Sequence, residues 1–135
     1  MEYEQFLKLS QDANALVQDG RLKEAEATLL QLVMSDISEL DRAGICAMMA
    51  SVYDRLGNSE EALAWLDKGI TCEQSYCRFE IEERKAEYLS QLGRHTEAVG
   101  IYEQLLVQPY LTEGDKERVR KIIKAELGKS LSEWR

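Results

Sequence analysis

Metal-binding side chains are scarce in this chain. His95 is the single histidine, and the three cysteines, Cys46, Cys72 and Cys77, form no CxxC pair. A zinc site draws four Cys or His ligands from paired spacings, so no metal is expected. Cys46 reads as a small buried apolar residue. Cys72 and Cys77 lie five residues apart near a turn, where a bridge is conceivable, but a reducing cytoplasm disfavours it. Apolar runs fall far short of the roughly 20 residues that span a bilayer. The opening "MEYEQFLKLSQD" is acidic and amphipathic, unlike a secretory signal, and a cytoplasmic protein without membrane attachment is expected.

Positive charge is also short for most of the chain. Residues 1–112 carry 10 Lys and Arg against 20 Asp and Glu, whereas residues 113–135 carry 7 against 5. An acidic body does not suit a phosphate backbone, where affinity comes from neutralising cations, so no nucleic-acid partner is expected. GxSxG, P-loop and HExxH patterns are missing. His95 falls in a turn, where a packing role suffices. The acidic stretch "EIEERKAE" gives no sign of a buried carboxylate pair with divided pKa values. The expectation is a protein that is not an enzyme and needs no cofactor.

What the chain does have is repetition. Residues 13–32, 50–69 and 86–105 align without a gap. The shared columns are Ala13, Ala50 and Ala86; Leu16, Tyr53 and Leu89; Gly20, Gly57 and Gly93; Ala25, Ala62 and Ala98; and Leu29, Leu66 and Tyr102. Glycine just past a helix end takes the left-handed conformation that closes a C-cap. Polar residues then start the next helix, and Asn58 with Glu61 has capping-box spacing. Paired alanines let two antiparallel helices approach closely, while the large residues fill the space around them. Each copy is therefore a helical hairpin with a tight elbow. Helices are predicted near 3–18, 22–35, 38–56, 59–72, 75–92, 95–107 and 113–133, with "DISE", Asp36 to Glu39, capping the third.

The same columns resemble the tetratricopeptide repeat, over about residues 3 to 110. Glycines 37 and 36 residues apart exceed that family's usual spacing of about 34. Its customary proline after each second helix occurs only as Pro109. The resemblance implies an all-α, right-handed superhelix forming one domain, 1–135. Its hairpins would cover about 3–36, 37–73 and 74–110, with a capping helix over about 113–133. Val119, Ile122, Ile123, Leu127, Leu131 and Trp134 are read as the stripe by which this last helix covers the solenoid's open end.

The resemblance further implies that first helices line a concave groove for a protein or peptide. The groove residues are then Gln11, Asn14, Gln18, Ala47, Met48, Ser51, Arg55, Glu80, Glu83, Arg84 and Glu87. Small residues around Met48 would let a helix or extended segment approach, and the three glutamates would favour basic residues on it. The clamp by which one subgroup grips the C-terminal carboxylate of heat-shock chaperones would fall on Ser10, Asn14, Met48, Glu80 and Arg84. Ser10 and Glu80 replace its two lysines, which removes most attraction for an anion. Size, acidity and layout are similar to secretion chaperones built from three such repeats. An adaptor, scaffold or chaperone-like interaction module is the resulting expectation. The alternative is a structural protein that pairs with itself as a homodimer through its C-terminal helix, with Tyr3, Phe6 and Leu7 as a further exposed patch.

Overall fold

The three glycine elbows are Schellman turns of one design. Gly20, Gly57 and Gly93 adopt φ of 77°, 81° and 80°. Each glycine N–H donates to the carbonyl three residues back, on Val17, Asp54 and Ser90. The next residue, Arg21, Asn58 or Arg94, donates five back, to Leu16, Tyr53 or Leu89, at 2.8–2.9 Å. The large apolar column thus also supplies the carbonyl that closes each helix. The following helix starts in two ways. Asn58 Oδ1 accepts from the Glu61 backbone N–H at 3.2 Å. In the other two elbows a guanidinium bonds the glutamate three residues on, Arg21 to Glu24 and Arg94 to Glu97.

A computed structural model describes residues 1–132. It contains α1 (Tyr3–Gln18), α2 (Leu22–Val33), α3 (Glu39–Arg55), α4 (Ser59–Gln74), α5 (Glu80–Gln91), α6 (His95–Leu106) and α7 (Glu113–Ser132). No strand occurs among the described residues, and the fold is all-α. No described helix is long and apolar enough to cross a membrane. The chain divides into two compact units, residues 1–76 and 77–135.

In the first unit, α1 packs on α2, α2 on α3 and α3 on α4. Ala13, Ala25, Ala50 and Ala62 are buried, as are Leu29 and Leu66. Each fully buried leucine contributes about 1.5–3 kcal/mol of transfer free energy. The α2–α3 joint has neither glycine nor proline. Arg42 closes it instead, donating to the carbonyls of Val33, Ser35 and Ile37 and to Glu39 Oε1. One side chain satisfies carbonyls that a helix end leaves without partners. Ser38, not Asp36, is the N-cap of α3, because its Oγ reaches the Asp41 N–H at 3.1 Å.

In the second unit, α5 packs on α6 and α6 on α7. Ala86, Ala98, Leu89 and Tyr102 are buried in the equivalent places. The fifth helix begins at Glu80 rather than near 75. Residues 75–79 form a turn in which Cys77 takes φ 56°, uncommon for a residue with a Cβ. Thr112 and Asp115 form a reciprocal capping box for α7, each backbone N–H bonding the other's side chain at 3.1 Å. Cys46 and Cys72 are buried, Cys77 is exposed, and all three are free thiols. Burial pushes Cys72 up to about 11, so it is a protonated packing group at neutral pH.

The apolar stripe of α7 does not stay against the body. Val119 is fully buried, and Ile122 and Ile123 are half-buried, but Leu127 is 48% and Leu131 69% exposed. The reason is helical drift. Val119, Ile123, Leu127 and Leu131 are spaced by four, and at 3.6 residues per turn that row rotates by about 120° over its length. The face that remains inward runs Val119, Glu126, Ser130, and so ends in polar residues. Trp134 lies outside the described residues.

Candidate functional site

On the first unit, α1 exposes Gln11, Asn14 and Gln18. Most of α3 is packed, with Ala43, Ile45, Cys46, Met49, Ala50 and Val52 in the core. Between them a narrow strip remains open: Gly44, Ser51 and Arg55 are exposed and Met48 is half-buried. Their spacings of four, three and four keep them on one side of the helix. Ala47 is turned about 100° from Met48 and is only 6% exposed, so its side chain packs instead of facing a ligand. Arg55 already has work to do: its Nη1 donates to the Val17 carbonyl at 2.9 Å and ties the end of α3 to the end of α1.

On the second unit, Glu80, Arg84 and Glu87 of α5 are exposed. Glu83 is not a free charge. Its Oε1 lies 2.6 Å from Nη2 of Arg118 on α7, and its side chain is 19% exposed. The close contact with the Glu83 carboxylate is the largest of the effects that raise the Arg118 guanidinium above its usual range. Glu83 is therefore an anchor for α7, and the acidic strip reduces to Glu87 and to Glu80, whose Oε1 lies 3.7 Å from Nη1 of exposed Arg78.

A polar cluster sets the seat of α7. The Glu126 carboxylate, its side chain 7% exposed, accepts from Ser90 Oγ at 2.7 Å. His95 Nδ1 lies 2.8 Å from Glu126 Oε2, a distance at which an Nδ1–H donates to the carboxylate. Lys129 Nζ stands 3.4 Å from Oε1, and Thr96 and Ser130 share a hydroxyl hydrogen bond of 2.7 Å. Burial pushes Glu126 up, but hydrogen bonds from Ser90 and His95, with Lys129 alongside, outweigh it and hold the carboxyl below its usual range. Serine, histidine and glutamate meet here without the relay order of a hydrolase. Both Ser90 Oγ (3.4 Å) and Glu126 face the same Nδ1, and Ser90 bonds the carboxylate directly. The arrangement joins α5, α6 and α7.

Among the described residues, no group of three or more His, Cys, Asp or Glu side chains is placed to hold a metal ion. The Glu126 cluster escaped the sequence reading because Ser90, His95 and Glu126 are 5 to 36 residues apart. Thr112 with Asp115 had the legible spacing of a capping box.

A family model described as tetratricopeptide repeat matches residues 43–75, from Ala43 in α3 to just past the end of α4. A second, of the same description, matches residues 84–117, from α5 through α6 into the first turns of α7. No curated protein matches the chain.

Proposed function

The chain belongs to the tetratricopeptide repeat family, and from that premise we propose that it is a non-enzymatic adaptor, scaffold or chaperone-like module. Repeats of this family generally mediate protein–protein interaction. The surface proposed for a partner segment on the first unit consists of Gln11, Asn14 and Gln18 with Met48, Ser51 and Arg55. Met48 carries the reading. It is a half-buried methionine with exposed Gly44 and Ser51 one turn to either side, on a helix whose middle is mostly packed. Small neighbours let a partner backbone come close, and the thioether adapts to varied apolar side chains. On the second unit, Glu80 and Glu87 favour a basic residue on the partner, with Arg84 between them.

Affinity capture from extract with the wild type, compared with Met48→Glu, identifies polypeptides that depend on this strip. A purified segment of such a partner is then titrated against both proteins. Met48→Glu is expected to weaken binding by roughly tenfold or more while leaving helicity by circular dichroism unchanged. Equal affinity for the two proteins moves the site off α3.

A further inference from the structure

The described residues leave the outward leucines of α7 largely uncovered. Leu127 and Leu131 are 48% and 69% exposed, and Arg120 and Lys124 are exposed beside them. All four lie on one flank at spacings of three and four. The other cations near the start of α7 are paired with acids: Lys116 with Glu113, Arg118 with Glu83 of α5 and with Asp115, and Lys121 with Glu117. Among the described residues, Arg120 and Lys124 make no ion pair. The Glu126 cluster seats a face of the helix about 110° round from this flank, so the leucines cannot turn inward without stripping a buried carboxylate of its hydrogen bonds.

A surface of matching chemistry exists at the start of the chain. Tyr3 and Leu7 of α1 are exposed and also four residues apart, and Tyr3 stacks on buried Phe6 with ring centroids 6.2 Å apart. Glu4 is exposed on the same helix, with Glu2 at its N-cap. The unit they belong to carries 6 Lys and Arg against 14 Asp and Glu, a net charge of −8. We propose that the outer flank of α7 docks on the first two turns of α1 in a second copy of this chain. Leucine pair then meets Tyr3 and Leu7, and Arg120 and Lys124 meet Glu2 and Glu4. Pairing of α7 with another α7 instead brings cationic flanks together without that acidic complement. A contact between two different surfaces does not close on itself unless a ring forms, so assemblies grow by addition. This inference goes beyond the partner-binding reading above and does not depend on it.

Sedimentation velocity over a hundredfold range of concentration tests it. Three samples are used: wild type, Leu127→Glu/Leu131→Glu, and Tyr3→Ser/Leu7→Glu, each checked for unchanged helicity. The wild type is expected to shift progressively to dimers and larger species, and each variant to stay monomeric. The two variants mixed in equal amounts each keep one intact surface, so they form a heterodimer that grows no further. A wild type monomeric throughout overturns the proposal. So does an α1 variant that still dimerises, or a mixture that stays monomeric while the wild type associates, since both mean that α1 is not the receptor.

Discussion

Two glycines with equally open surroundings have opposite roles. A Cβ added at Gly57 or at Gly44 meets no heavy atom within 4 Å, so space does not separate them. Backbone does. Gly57 holds φ 81° in an elbow, whereas Gly44 sits inside the helical α3. Gly57→Ala is expected to cost about 1–2 kcal/mol, because only a residue without a Cβ takes that conformation freely. Gly44→Ala is expected to stabilise by about 0.5–1 kcal/mol, by removing helix-interior glycine. Chemical denaturation of both variants checks the pair. An equal response at the two positions contradicts the left-handed elbow.

The element in which a residue-level change has most reach is α7. Glu126→Gln keeps the size of the side chain but loses the charge that receives Ser90, His95 and Lys129, and about 1–3 kcal/mol of destabilisation is expected at neutral pH. The carboxyl has a lower pKa folded than unfolded. Its contribution is therefore complete above the ordinary carboxylate range and disappears as pH falls through that range to the folded value. Thermal denaturation of wild type and Glu126→Gln across acidic pH is expected to show their stabilities converging toward low pH. A constant gap between them contradicts the charged cluster.

The elements differ in how much of this was legible beforehand. Elbows announce themselves, because Gly20, Gly57 and Gly93 each serve a need that arises within six residues of chain. The register of α7 does not. A row of residues four apart resembles a stripe, yet its rotation matters only once a neighbouring helix selects which part faces inward. Glu126 had no mark that set it apart, since Ser90 and His95 come from α5 and α6 and a lysine three residues on is common on any exposed helix. Arg42 was equally silent, although it closes a joint for which proline or glycine is the usual signal. For the candidate surface, helical spacing separated Met48 and Ser51 from the core, but failed at Ala47, which is buried, and at Glu83, which is claimed by Arg118.

For the molecule as a whole, packing within each unit joins helices that are consecutive in the chain. Such local contacts make loop closure inexpensive and folding fast. Refolding followed through buried Trp65, in a Trp134→Phe background, is expected to finish within milliseconds. A dominant phase of seconds contradicts the sequential packing. Charge is less evenly arranged than packing: residues 1–76 hold the whole net charge of −8, while residues 77–135 balance at 11 against 11. The joint between α2 and α3 has a practical corollary. Because one arginine fastens it to carbonyls of the residues just before it, the device is portable. An engineer wishing to lengthen the array could splice in a duplicate hairpin there, provided that each seam carries its own copy of Arg42.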